Sequence, residues 1–350
     1  MDKSRSMENF RLSCSEQEFR ETKALSYSKI ASYDKDGPIS LITKKDLDGK
    51  SYIIFGKLVD DMLLSPQNLY KYKINNYNGE LPSGSISEII NKCVDFINKT
   101  GEQLTDNIIL EFFAQKDFYK TWKPATKVAA IWKYKDYLDF VLQNKDSILI
   151  TPFMWTTAEK IVETIKTSPK TQQWFNLLEG QEGFNQVDLI TDYNGSKVKG
   201  AFDRLVVDHV NKTFQIIDLK TGSVKSDEFV DQFWKFRYWI QATLYYKMLE
   251  EIIKDDDQYQ DYEILDFVFV YMPSTGATIP TVLTVEKDRI SAFENGFYIG
   301  RSEYKQKGLK QLIKEIEWHY ESQIFDVSYD FINKEGCYII NDKQVRGEDE

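Results

Sequence analysis

The stretch GFNQVDLITDYNGSKVKGAFDRLVVDHVNKTFQIIDLKTG, residues 183–222, switches the sequence from a helical to an alternating period. Its β-rich runs are separated by DYNGS and DHVNK, whose Asn, Asp and Gly supply hairpin-turn chemistry. In the last run, FQIIDLKTG (214–222), Asp218 and Lys220 project from the same face, because side chains alternate along a strand. Burying a charge is costly unless something pairs or ligates it. The run is therefore either a salt-bridged strand end or half of a metal-dependent site.

The hairpin register weighs on that choice. A two- or four-residue loop centred on Val210 and Asn211 puts Asp208 opposite Thr213 and, further down the ladder, Asp203 across from Asp218. Like charges directly opposed destabilise a sheet, so two facing carboxylates ask for a shared proton or a cation. Magnesium takes one or two carboxylates together with waters and phosphate oxygens. Lys220, one pleat beyond Asp218, is placed to orient or activate a water, or to neutralise charge on a pentacovalent phosphate. Glu182, on the preceding strand or its lead-in, is expected to reach the same metal or the attacking water. Three carboxylates and a lysine make a phosphodiester hydrolase centre. The plain alternative is a hairpin in which Lys220 simply pairs with Asp218. Asp48-Gly49-Lys50 has the same D-x-K spelling inside a turn.

Outward from the hairpin, the N-terminal half is helical. Residues 25–35 (LSYSKIASYDK) carry serines available as N-caps, and residues 55–64 carry apolar helical spacing. Residues 85–145 continue the helical pattern, with Pro124 marking a break or a start, and 155–167 form another helix ending near Pro169. After the hairpins, one long amphipathic helix is expected over 227–253. A strand in ILDFVFVYMP closed by Pro273, a strand near 279–285 and a helix over 302–322 follow. The class is α/β or α+β. The expected organisation is a mainly helical part over 1–175, a core over 176–290, and a C-terminal helix and tail over 291–350.

Composition narrows the chemistry. The 350 residues are 42% hydrophobic and carry a net charge of −10, enough apolar material for a sizeable core. No apolar run approaches the roughly 18 residues of a membrane span, so no membrane association is expected. The polar residues 1–21 lack the apolar stretch of a signal peptide, so the expected location is the cytoplasm, the host's if the chain is phage-encoded. Cys14, Cys93 and Cys337 are widely spaced and form no C-x-x-C pair, which argues against zinc and iron–sulfur sites. A metal here should be a hard cation on oxygen ligands. The acidic balance weighs against a nonspecific nucleic-acid coat. Lysines and aromatics nevertheless interleave at 114–137 and 230–239, as base-stacking surfaces or as helix faces with snorkelling lysines. His209, in the turn, and His319, in the last helix, are expected to be structural or exposed.

GAFDRLVVD…FQIIDLKTG resembles the G-x-x-D…D-x-K-T signature of the PD-(D/E)xK nuclease superfamily. RYWIQATLYY (237–246) is similar to the Q-x-x-x-Y helix of its RecB-like branch, with Gln241 and Tyr245 matching. IIFGKLVDDMLLSP (53–66) resembles that branch's G-x-x-x-H segment, with Asp60 where histidine is usual. LSYSKIASY matches its serine-rich opening. Order and spacing look closest to the RecE type, exodeoxyribonuclease VIII.

The resemblance implies a restriction-endonuclease-like core with a central mixed sheet flanked by helices. It implies that Asp203, Asp218, the Leu219 carbonyl and Asp60 (or its neighbour Asp61) ligate Mg²⁺ or Mn²⁺, and that Lys220 is the catalytic lysine. Glu182 would take a supporting or second-metal role. Gln241, Tyr245 and Arg237, taken as one helix face, would orient the site or contact DNA. The implied activity is metal-dependent exonucleolysis at duplex DNA ends for phage-type recombination, by a homo-oligomer working beside a single-strand annealing protein. A structure- or site-specific endonuclease, or an inactive DNA- or protein-binding module on the same fold, are the alternatives.

Overall fold

The structure, a computed structural model, describes residues 19, 21–43, 50–254, 256–302 and 304–337. The readings placed on residues 1–18, which include Cys14, on Asp48 and on the tail at 342–350 lie outside the described residues. Among the described residues, no helix is long and apolar enough to cross a membrane.

The alternating stretch forms the centre. Strands β4 (Gln181–Tyr193), β5 (Ser196–Asp208) and β6 (Thr213–Gly222) make an antiparallel meander. The turn at Asn194 and Gly195, both at positive φ, sets Tyr193 opposite Ser196. The next turn sets Asp208 opposite Thr213, as the hairpin reading expects. Strand β8 (Phe267–Pro273) lies parallel to β6 and antiparallel to β9 (Thr281–Val285), while β7 (Glu263–Ile264) pairs with the start of β6. The short β1 (Leu25–Ser26) pairs in parallel with β5 at Val198 and Lys199. This is the mixed central sheet.

Its two faces are covered by different helices. On one face pack α1 (Tyr27–Asp36), α9 (Tyr238–Ile253), α10 (Lys287–Asn295) and α11 (Leu309–Ser322), burying Phe202, Phe214, Phe267 and Phe269. On the other lie α2 (Ser51–Leu64) and α7 (Pro152–Thr167), against Val206, Ile217, Leu219 and Val270. Each fully buried Leu, Ile or Phe contributes about 1.5–3 kcal/mol. Helix α7 starts where its sequence dictates: the Thr151 hydroxyl accepts a bond from the Met154 N–H at 3.1 Å, and Pro152 occupies the first turn.

The helical region at 85–145 is four helices, α3 (Gly84–Thr100), α4 (Asp106–Lys116), α5 (Pro124–Trp132) and α6 (Lys135–Gln143), with Pro124 opening α5. They pack around a cluster of their own containing Ile89, Cys93, Phe113 and Ile131. Burial pushes the Cys93 thiol up to about 12. The group hangs between β2 (Tyr72–Ile74) and β3 (Ile148–Ile150), a parallel pair too short to show in the hydrophobic pattern.

Two expected boundaries shift. The helix expected over 227–253 is two, α8 (Phe229–Lys235) and α9, broken at Phe236 and Arg237. The last long helix begins at Leu309, not near 302, and ahead of it Phe297 and Gln306 pair in an isolated antiparallel bridge.

Candidate active site at a fork in the sheet

One edge of β5 is filled by β4 along its length, so β6 and β1 must share the other. The β5–β6 ladder stops at Arg204–Ile217, and β1 takes over at Lys199 and Val198. Asp203 falls in the fork between them. The expected pairing of Asp203 with Asp218 is continued by a side chain: Asp203 Oδ2 accepts the Leu219 N–H at 2.7 Å. Across the other edge, Gln186 occupies the register position opposite Asp203 and adopts a left-handed φ of 51°. Backbone departs from regular strand on both sides of this aspartate, as it does at sites whose geometry matters more than local comfort.

Asp218 is 2% exposed and turned toward α9. Its Oδ1 accepts from Gln241 Nε2 at 2.6 Å. Lys220 Nζ forms an ion pair with Oδ2. Gln241 and Tyr245, four residues apart, share one helix face. The Tyr245 ring lies against Phe202 with centroids 4.9 Å apart.

Two glycines set the close approaches. A Cβ on Gly200 would fall 2.5 Å from Tyr245 Cε1, so only glycine admits the ring flat against β5. Gly200→Ala is expected to destabilise the fold by about 1–3 kcal/mol by overpacking, read as a lower urea midpoint. An unchanged midpoint would mean that the ring is not clamped there. A Cβ on Gly56 would fall 3.1 Å from Thr221 Oγ1, so this glycine draws α2 against the end of β6. One turn on, Asp60 meets the cluster from the other layer.

The electrostatics record that meeting. Burial, with the charges of Asp218 and Asp61, pushes Asp60 up to about 7, although Lys220 opposes the rise. Burial, then Asp218 and Asp60, holds Asp203 well above the ordinary carboxylate range. Burial also raises Asp218, against the pull of Lys220. Burial alone would lower the Lys220 ammonium, but Asp218, Tyr238 and Asp203 together hold it well above its usual value. Its Nζ lies 5.1 Å from the Tyr238 ring centre and 5.8 Å from that of Phe269. Tyr27 completes this enclosure: its hydroxyl donates to the Phe236 carbonyl at 2.7 Å, and burial is the main cause of its raised pKa, with Lys220 and Asp218 both acting on it.

The structure brings together Asp60, Asp203, Asp218, Lys220, Gln241 and Tyr245. Asp60's neighbour Asp61 is engaged elsewhere, accepting from Asn68 and Tyr72 at 2.9 and 2.6 Å. Two expectations are corrected. Glu182 pairs with Val207 at the turn end of the hairpin, half exposed, with its Oε2 3.6 Å from His209 Nε2. The β4 register carries it away from the aspartates. Arg237 is not on the α9 face: it precedes the helix in a left-handed conformation, and its guanidinium is tied to Asp34 and to the Trp234 carbonyl. His319 is buried in α11, with Nδ1 2.6 Å from the Ile324 carbonyl. The lysines of 116–135 are largely engaged, Lys116 with Glu88, Lys120 with Asp117, Lys133 with Glu80 and Lys135 with Asp139. A cleft bounded by Gln181, Asp208, Asn211 and Gln215 lies at the turn end of the hairpin, away from the aspartates. Tyr27 and Tyr238 lie inside two of the quoted motifs but are not singled out there, and only packing reveals their place beside Lys220.

The sequence model of the PD-(D/E)XK nuclease superfamily matches residues 125–319, over half of the chain. The chain belongs to the PD-(D/E)XK nuclease superfamily. The match covers the fork, Lys220 and the Gln241 helix, and leaves Asp60 outside it. Members of this superfamily typically use divalent metals such as Mg²⁺. No curated protein is significantly similar in sequence. Among solved structures, a candidate exonuclease from Eubacterium rectale is 12% identical, covering 84% of this chain and 89% of its own. Its TM-score is 0.30, and that likeness carries no argument about activity.

The donor set suits a hard divalent cation. Burial raises all three aspartates, and acidic neighbours add to the rise at Asp60 and Asp203. Among the described residues, no group of three or more His, Cys, Asp or Glu side chains is placed to hold a metal ion by itself. Magnesium does not need one, since it keeps several waters beside one or two carboxylates.

Proposed function

We propose that this PD-(D/E)XK nuclease is a Mg²⁺-dependent exodeoxyribonuclease of the RecE type, hydrolysing phosphodiester bonds at duplex ends. The observation that carries the reading is the fork, where buried carboxylates raised by desolvation meet a protonated lysine. Asp203, Asp218 and Asp60 would hold the cation, with the Leu219 carbonyl beside them. Bound there, the cation would supply charge stabilisation to a phosphoryl oxygen and a more acidic water.

The chain's own groups do the rest. Lys220 is held protonated, so it acts as a fixed positive charge facing the phosphate and not as a base. Gln241 holds Asp218 by its amide, and Tyr245, braced on Gly200 and Phe202, holds the helix at the right height. Tyr27, Tyr238 and Phe269 wall Lys220 from bulk water, which strengthens its field.

The reading extends to partners and assembly: duplex ends as substrate, a homo-oligomer that retains DNA despite the net charge of −10, and a single-strand annealing protein receiving the product. Incubating the full chain with linear, covalently closed circular and single-stranded DNA, with Mg²⁺, Mn²⁺ or EDTA, tests it. Linear duplex should be degraded from its ends only with the cation. Equal digestion of closed circles would instead establish an endonuclease, and no digestion of any substrate would leave a binding module.

A further inference from the structure

The break between α8 and α9 has no cause in glycine or proline, since the segment reads Trp234-Lys235-Phe236-Arg237-Tyr238. Arg237 adopts φ 61°, a strained conformation for a residue with a Cβ, and is held in it by Asp34 and the Trp234 carbonyl. The neighbouring aromatics face inward: Phe233 and Trp234 pack against the core that holds Phe269 and Phe297. Phe236 alone among them turns out, 42% exposed, with Lys235 Nζ 5.8 Å from its ring centre. It is also wired to the site. Its carbonyl receives the Tyr27 hydroxyl, and its ring lies 5.8 Å from Tyr238, the ring beneath Lys220.

We propose that Phe236 is a positioning residue that stacks on the base of the nucleotide whose phosphate enters the fork. The inference rests on the nuclease reading and deepens it by naming what aligns the substrate. An exposed aromatic with a cation over its face suits a nucleobase followed by its phosphate, and stacking tolerates any base because each has a π-face. The strained break fixes the height of the ring relative to Lys220. The nucleotide is thereby aligned without any base-edge hydrogen bond, so sequence does not matter and the presence of a base does.

The test uses the full chain and two duplexes, one ending in 2-aminopurine and one ending in an abasic site, bound in Ca²⁺ and cleaved in Mg²⁺. Wild-type protein should quench the 2-aminopurine and bind the intact end about 5- to 100-fold more tightly than the abasic end. Phe236→Ala should abolish that ratio, mostly through KM on the intact end, whereas Phe236→Trp should retain it. The same ratio in Phe236→Ala as in wild type, or no ratio in wild type, overturns the proposal. Stacking and preference without cleavage would sink the nuclease reading and leave this one standing. Cleavage of ends with no preference would sink this one alone.

Discussion

Lys220→Ala should lower DNA hydrolysis by about 10²–10³-fold, the usual effect of removing one preorganised charge from a reacting centre. The same variant makes a second, opposite prediction. Without the ammonium, Asp218 is a buried carboxylate facing Asp203 and Asp60, so the metal-free protein should lose stability. A divalent cation can replace the lost charge. The rise in melting temperature on adding Mg²⁺ should therefore be larger in Lys220→Ala than in wild type, while activity stays low. A generally damaged fold would also be inactive but would lack the larger Mg²⁺-dependent rise. Hydrolysis within about threefold of wild type would remove Lys220 from the chemistry.

The metal-free protein should also become less stable as pH rises from about 4 to 7, contrary to the behaviour of most paired carboxylates. Asp60 is pushed up to about 7 by burial, with its acidic neighbours adding, whereas an unfolded chain ionises it near its ordinary value of 3.8. Below about pH 4 it is protonated in both states and costs nothing. Between the two values the unfolded chain releases the proton and the fold keeps it, so the fold binds more protons and stability falls with pH. Above about 7 the loss is constant, about 4 kcal/mol for this group. Asp203 and Asp218, also raised, add in the same direction. Lys220 has the same sign of linkage, but only at alkaline pH, because its folded value lies above its ordinary 10.5. Calorimetry from pH 5 to 8 checks this. Saturating Mg²⁺ should flatten the slope by stabilising the ionised state, contributing about 2.7 kcal/mol at a hundred times its Kd. Asp60→Asn should flatten it without metal. A melting temperature that rises over this range in EDTA would refute the arrangement of the three carboxylates.

The parts of this site that were legible in the sequence are those fixed by local rules. Strand alternation and the turn after Asp208 give the β5–β6 register and bring Asp203 to Asp218. The same logic at Asn194-Gly195 would have placed Glu182 opposite Val207, and Gln186 beside Asp203. There the signal was present in the turn itself. The termination of the ladder one pair early was not legible, because it depends on β1, from far upstream, claiming the same edge of β5. Nor was the break at Arg237, whose sequence offers no helix breaker; tertiary partners at Asp34 and Trp234 impose it. The aromatic walls around Lys220 come from three distant segments that share no spacing rule. The family resemblance supplied Asp60 and Gln241, and their contacts explain physically why those positions matter.

The division of the three proposed ligands between the hairpin and α2 has a consequence for a cell that makes this protein. Asp203 and Asp218 lie on one hairpin and can meet early in folding, but Asp60 arrives on a helix from the opposite side of the sheet. A chain still emerging from the ribosome, or one trapped half-folded, has an incomplete centre. Any activity that needs all three carboxylates is thus withheld until α2 closes on the sheet, so that correct assembly acts as its own safety catch.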